Sequence, residues 1–241
     1  MINVNIARNY QAVLECIRQT AIRSGRDPAG VRLVVVTKGH PVQIIRQAVE
    51  AGARYLGENY VEEAAPKIAD LVGVAGVQWH MIGHIQSRKA RAVCELFDWV
   101  HSLDSLKLAA RLDRFAGEMG RKLPVLLEMN VSGEESKSGF PAWQADRWAE
   151  LLPEISQILG CKNIDVRGLM TMAPFLPDPE GARPYFQRLR GLQSFFIKKF
   201  PASDWSELSM GMSADYEVAV QEGATVVRVG TAILGPRPSI Q

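Results

Sequence analysis

The sequence predicts an α/β fold of the (β/α)8, TIM-barrel type, in one domain over residues 1–241 with an extra N-terminal helix at about 4–24. Three observations predict it. Eight short apolar strand signals alternate with one-sided helical stripes at nearly even spacing, the pattern of a parallel sheet with crossover helices. The length of 241 residues is close to that of an eight-stranded barrel, ~250 residues. No GxGxxG follows the first strand, which weakens the runner-up, a doubly wound open sheet of the dinucleotide-binding kind.

Each element has its own signal. Ile6, Tyr10, Val13, Leu14, Ile17 and Ala21 form a helical stripe ended by Gly25 and Pro28. No strand precedes it, so it stands outside the repeat. Residues 32–37 are an apolar, β-branched strand, and Ile44, Ile45, Ala48 and Val49 mark a helix stopping at Gly52. A short strand at 54–57 leads to Gly57-Glu58-Asn59 and a helix in which Pro66 predicts a kink or break. The third strand covers 77–83, with a helix over 86–96. Residues 98–101 are the fourth strand, and Asp104 or Ser105 caps the next helix. Strand five is 124–130, followed by a polar loop from Ser132 to Gly139 and a helix over 141–159. Strand six is 164–170, with a proline-rich loop and a helix over 182–199. A short strand at 206–209, a helix over 213–222 and a strand at 225–229 complete the eight.

Composition narrows the function. The hydrophobic fraction is 47% and the charged fraction 22%, ordinary globular values. A net charge of +2 argues for neither nucleic acid nor membrane as partner. Cys16, Cys94 and Cys161 are an odd set without a CxxC, so a disulfide framework and a thiolate zinc site are not expected and a reducing cytoplasm is. The polar N-terminus holds no signal core, and no apolar run approaches membrane-spanning length.

Barrel active sites form at the carboxyl ends of the strands. Lys38 follows strand one, with its stem in the core and its amine at the barrel mouth. That is where a Schiff-base lysine is partly desolvated and nucleophilic; a snorkelling strand-end lysine is the ordinary alternative. Asn59 follows strand two, and His80 to His84 surround the end of strand three. Ser209-Met210-Gly211-Met212-Ser213 follows strand seven and Gly230-Thr231 follows strand eight. Hydroxyls, approachable amides and a helix start there suit a phosphate. A plain helix cap and an ordinary turn are the alternatives. An amine facing a phosphate cradle calls for a phosphorylated aldehyde, and pyridoxal phosphate is one. Arg228 would then donate to the pyridine nitrogen and leave it unprotonated, making the ring a poorer electron sink than an aspartate partner would. The alternative for Arg228 is an interior pair with Glu58 or Glu128. His80 and His84 straddle a strand end and Gly83, so no metal site is expected. Trp79 and Trp99 read as packing, and the Ser132 to Gly139 loop as solvated or overhanging the site.

These residues fall in a known order. Val-Val-Val-Thr-Lys at 34–38, Gly-Glu-Asn-Tyr-Val at 57–61, Trp-His-Met-Ile-Gly-His-Ile-Gln at 79–86, Ser-Gly-Glu-Glu-Ser-Lys-Ser-Gly at 132–139, Gly-Leu-Met-Thr-Met at 168–172, Ser-Met-Gly-Met-Ser at 209–213 and Arg-Val-Gly-Thr at 228–231 resemble the pyridoxal phosphate homeostasis proteins over about residues 31–237. Their barrel is similar to the N-terminal domain of bacterial alanine racemase. The resemblance implies a fold-type III pyridoxal phosphate barrel with a Schiff base to Lys38. It also implies ring contacts from Asn59, Arg228 at the pyridine nitrogen, and cofactor contacts from Ser209, Met210, Gly230 and Thr231. This chain departs from the pattern at Thr37, where serine is usual, at Gly39-His40, which replaces a more polar pair, and at Arg88, where asparagine is frequent.

Three functions follow from this set. The first is a non-catalytic carrier that buffers pyridoxal phosphate or delivers it to enzymes that use it, and is itself a monomer. The second is an amino-acid racemase using the same cofactor. The third is a lyase or aldolase whose Lys38 attacks a sugar phosphate directly. Racemases of this fold draw a second base, a tyrosine, from a following domain. This chain ends ten residues after Thr231, and its tyrosines at 10, 55, 60, 185 and 216 offer no obvious replacement. The expectation is therefore the carrier.

Overall fold

A computed structural model describes residues 5–237; position 4 of the expected first helix and the ends of the expected 1–241 domain lie outside them. Helix α1 (Ile6–Arg23) starts where the Asn5 side chain accepts from the Arg8 amide at 2.9 Å. It buries Ile6, Tyr10, Val13, Ile17 and Ala21, the stripe read from the sequence, with Leu14 at its margin.

Eight parallel strands close on themselves. They are β1 (Arg32–Val36), β2 (Tyr55–Glu58), β3 (Gln78–Met81), β4 (Trp99–Leu103), β5 (Leu123–Asn130), β6 (Ile164–Met170), β7 (Glu207–Ser209) and β8 (Val226–Val229). Each pairs with the next in sequence, β4 pairs with β5, and β8 pairs with β1 in the register Val34 to Arg228. The helices between them are α2 (Val42–Glu50), α3 (Val61–Asp70), α4 (Ala90–Leu96), α5 (Leu106–Glu118), α6 (Leu152–Leu159), α7 (Arg183–Lys199), α8 (Tyr216–Gln221) and α9 (Thr231–Leu234). Helix α1 packs on α2, α8 and α9, bridging the ends of the repeat, and Asn9 Nδ2 donates to the Ile233 carbonyl at 3.1 Å. Fully buried aliphatic side chains from strands and helices fill the layer between them. Apolar burial of this kind supplies the main driving force.

Several boundaries differ from the sequence reading, each for a local reason. Helix α3 runs through Pro66. The proline strips the Glu62 carbonyl of its helical partner, but both residues are exposed, so water can satisfy it. The expected helix over 141–159 is a 3-10 segment at Ala145–Leu151 followed by α6. Pro153 fits the start of α6 and would have broken a continuous helix. The helix expected over 86–96 likewise opens with a 3-10 turn at Ser87–Lys89. Strand β4 extends past His101 because Ser102 is buried and donates to the Gly83 carbonyl at 2.6 Å. Strand β3 stops at Met81, not 83. Gly83 lies so close to the Asn59 backbone that a Cβ would sit 2.5 Å from its carbonyl oxygen, a packing only glycine permits. Helix α8 begins at Tyr216 rather than 213, because Asp215 Oδ1 accepts from the Met212 amide at 2.6 Å and closes a turn there.

Candidate functional site

A cavity of about 350 Å³ opens at the carboxyl ends of the strands. Lys38, Asn59, Arg228, Gly230 and Thr231 line it, together with Ser213, Arg237 and the loop from Met172 to Leu176. Five of the residues expected at the site thus line one cavity. Ser209 and Met210 do not: both are fully buried beneath it. Ser209 is the last residue of β7 and its hydroxyl is held inside the barrel between Arg228 and His101, whereas Ser213, four residues on, lines the cavity.

Lys38 is half-buried, and a buried charge network grips the backbone on either side of it. Lys67 Nζ donates to Glu58 Oε1 at 2.6 Å, to Glu63 Oε1 at 2.6 Å and to the Thr37 carbonyl at 3.0 Å. Thr37 Oγ1 donates to the same Glu58 oxygen at 2.6 Å. The Gly39 amide donates to Glu63. The unusual threonine thus ties the lysine's strand to β2. Burial pushes the Lys38 amine below its ordinary pKa, and the Arg237 cation lowers it further, while Glu58 and Glu63 oppose. A lowered pKa enlarges the neutral, nucleophilic fraction. Gly39, the second departure, makes room for Arg237: a Cβ there would sit 2.8 Å from that side chain. The third departure, Arg88, is exposed and donates to Gln86 at 3.0 Å, away from the cavity.

The Gly230 and Ala232 amides both point at Ser213 Oγ, at 3.2 and 3.4 Å. The Ser213 hydroxyl thus sits at the start of α9, on the amides of that turn. Arg228 is buried at the cavity floor. Its NH1 donates to Ser209 Oγ at 2.5 Å and its NH2 to the Thr171 carbonyl at 2.8 Å. Among the described residues it forms no ion pair, so the alternative reading of an interior pair with Glu58 or Glu128 is not made; Glu58 is taken by Lys67. Burial lowers the Arg228 pKa to about 10 despite Asp215 and Glu128 nearby. Asn59 Oδ1 is buried and has no protein partner.

The histidines take separate places. His80 lies inside the barrel, stacked on Trp99 at 6.0 Å between ring centroids, whereas His84 is exposed and meets Asp104 at 3.0 Å. The Ser132 to Gly139 loop folds around Asn130, whose Oδ1 accepts from the Gly133 amide at 2.9 Å. It reaches the cavity wall through Lys137, which donates to the Met172 carbonyl at 3.1 Å.

Arg237, Lys67 and the Met172 to Leu176 loop have no place in the sequence reading of the site, and Ser213 enters it only as part of the loop after strand seven. Ser213 carried a signal, as the second serine of Ser-Met-Gly-Met-Ser. Arg237 lies beyond the last strand, where the barrel pattern assigns no role.

The chain matches the alanine racemase N-terminal domain family model over residues 6–238. It is 40% identical over 240 residues to the pyridoxal phosphate homeostasis protein of Escherichia coli K12, with 97% of each chain covered. The protein of that name from Pseudomonas aeruginosa is 42% identical, with 96% of each covered. Among solved structures, PipY of Synechococcus elongatus without pyridoxal phosphate is 40% identical at a TM-score of 0.80, covering 91% of this chain and 99% of PipY. PipY with pyridoxal phosphate bound aligns at 0.77. Alanine racemase of Clostridium difficile shares the fold at 15% identity and a TM-score of 0.70, covering 96% of this chain and 58% of the racemase.

Proposed function

This chain belongs to the alanine racemase N-terminal domain family and, within it, to the pyridoxal phosphate homeostasis proteins, and on that premise we propose that it holds pyridoxal phosphate covalently through Lys38 and passes it on without turning over a substrate. The observation that carries the reading is convergence: a partly desolvated amine, a hydroxyl set on two backbone amides and a guanidinium bonded to neutral groups face one cavity. Its polar groups suit the cofactor. Lys38 supplies the anchoring amine. Ser213 with the Gly230 and Ala232 amides, flanked by Thr231, takes the phosphate. Asn59 Oδ1 is a buried acceptor awaiting a donor. Arg228 has N–H groups left over for the pyridine nitrogen.

When bound, pyridoxal phosphate supplies an electron-withdrawing ring. Arg228 limits that withdrawal, because a guanidinium donates a hydrogen bond without giving up its proton. Two-base proton exchange needs an acid–base group facing Lys38. No tyrosine, histidine or cysteine among the described residues lines the cavity; its two carboxylates, Asp178 and Asp215, accept from the Glu180 and Met212 amides of their own turns. The relatives are themselves named for homeostasis, which supports the same reading. Recipients are enzymes that use pyridoxal phosphate.

The test is retention and transfer. The purified chain should bind pyridoxal phosphate, restore activity to an apo-enzyme that requires it, and racemise neither alanine nor serine measurably. Ser213→Ala should weaken retention by about tenfold, the worth of one or two hydrogen bonds to a charged group, with unchanged thermal stability. Turnover in the ordinary enzyme range, or unaltered retention in Ser213→Ala, would contradict the reading.

A further inference from the structure

We propose that His101 is a positioning residue for Arg228, acting through Ser209, and that His80 fixes the tautomer in which it does so. The inference rests on the reading that the cavity holds a pyridoxal ring against Arg228.

Four side chains form one line through the barrel interior. Arg228 NH1 lies 2.5 Å from Ser209 Oγ, Ser209 Oγ lies 2.9 Å from His101 Nδ1, and His101 Nε2 lies 2.9 Å from His80 Nδ1. All four residues are buried. The direction of the bonds follows from what each atom can do. A guanidinium only donates, so Ser209 Oγ accepts from Arg228. The serine proton then goes to His101 Nδ1. His101 carries its own proton on Nε2 and donates it to His80 Nδ1. His80 is left with a proton on Nε2, an atom that is buried without a partner. The opposite direction leaves two groups unsatisfied, the Ser209 hydroxyl proton and the bare His80 Nε2. An unmet buried polar group is costly, so the first direction is preferred.

Neither imidazole gains by charging. Burial lowers the pKa of His80 to about 3 and holds that of His101 well below the ordinary histidine value, with Arg228 adding to the latter. The line is therefore neutral up to Arg228. Among the described residues no carboxylate is hydrogen-bonded to that arginine to hold its plane. Ser209 on NH1 and the Thr171 carbonyl on NH2 take that task. They leave the remaining N–H groups of a cavity-lining residue free for an acceptor. Removing His101 frees the serine hydroxyl to rotate and loosens one of these two anchors.

The experiment uses the full chain and four variants: His101→Phe, Ser209→Ala, the two combined, and His101→Asn, whose side-chain oxygen can replace Nδ1 as acceptor. Each single removal should weaken pyridoxal phosphate retention by about tenfold and shift the absorption and fluorescence of the bound cofactor. The combined variant should lose little more, since the two residues act as one unit. His101→Asn should restore most of both signals. Independently, 15N spectra of the cofactor-free protein should show both imidazoles protonated at Nε2 and neutral at pH 7. A wild-type spectrum and wild-type retention in both single variants would overturn the inference, as would a His101 proton on Nδ1. The imidazole tautomers stand even if His101→Phe does not fold. Failure of the unaltered chain to take up pyridoxal phosphate would instead sink the carrier reading, while the tautomers still decide the direction of the line.

Discussion

Glu128 shows how a single buried side chain sets a pH response. It is 3% exposed, its Oε2 has no partner, and burial with Asp104 nearby pushes its pKa up to about 7. The unfolded carboxyl titrates near 4.5. Between these values the folded chain binds the proton and the unfolded chain does not. The contribution of Glu128 to stability is therefore full below the unfolded pKa and is lost as pH rises to about 7. Glu128→Gln should flatten that fall and raise stability at pH 8 by up to roughly 3 kcal/mol. Urea melts at pH 5 and 8 measure it; a variant no more stable at pH 8 would show that the carboxylate finds compensation. At this same scale the sequence is most legible where a single residue marks a strand end, as at Lys38 and Arg228, both of which line the cavity. It was least legible where two like residues compete. Ser209 and Ser213 differ only in that one ends the strand and turns into the barrel, while the other lies in the loop beside two amides.

Among the elements, strands were read almost correctly because apolar runs between turn signals are a strong pattern. Their ends were misjudged where a polar side chain is buried and bonded, as Ser102 is in β4, or where a turn closes ahead of a helix, as at Asp215 before α8. Neither has a periodic signature. The contact between β6 and β7 carries a sharper constraint. Gly168 has a φ of +149°, and a Cβ would lie 2.0 Å from the Glu207 carbonyl oxygen, next to an irregularity in the β5–β6 register. Gly168→Ala should therefore cost about 3 kcal/mol or more, since both the strained backbone and the clash must be relieved by moving a strand. Chemical denaturation reads this directly, and a loss under 1 kcal/mol would mean that β7 can shift freely.

At the scale of the molecule, closure is what makes the site. Pairing of β8 with β1 sets Arg228 beside Val34, and Lys38 follows β1 a few residues later. Ser213 and Gly230 come from the loops after β7 and β8, so they and Lys38 line one cavity although far apart in sequence. The eight repeats predicted that adjacency. The sequence could not reveal the polar interior beneath it, because the His80, His101, Ser209 and Arg228 line is assembled from four separate strands. The same distance hid Lys67, which supports the lysine from α3.

The central claim is that Lys38 is the anchoring amine. Borohydride reduction of the full chain after incubation with pyridoxal phosphate, followed by peptide mass spectrometry, tests it most directly. The account predicts a pyridoxyl-phosphate adduct on Lys38 and none on Lys67, whose amine is buried and holds three hydrogen bonds. Reduction that leaves Lys38 unmodified, or that labels Lys67 instead, would contradict it.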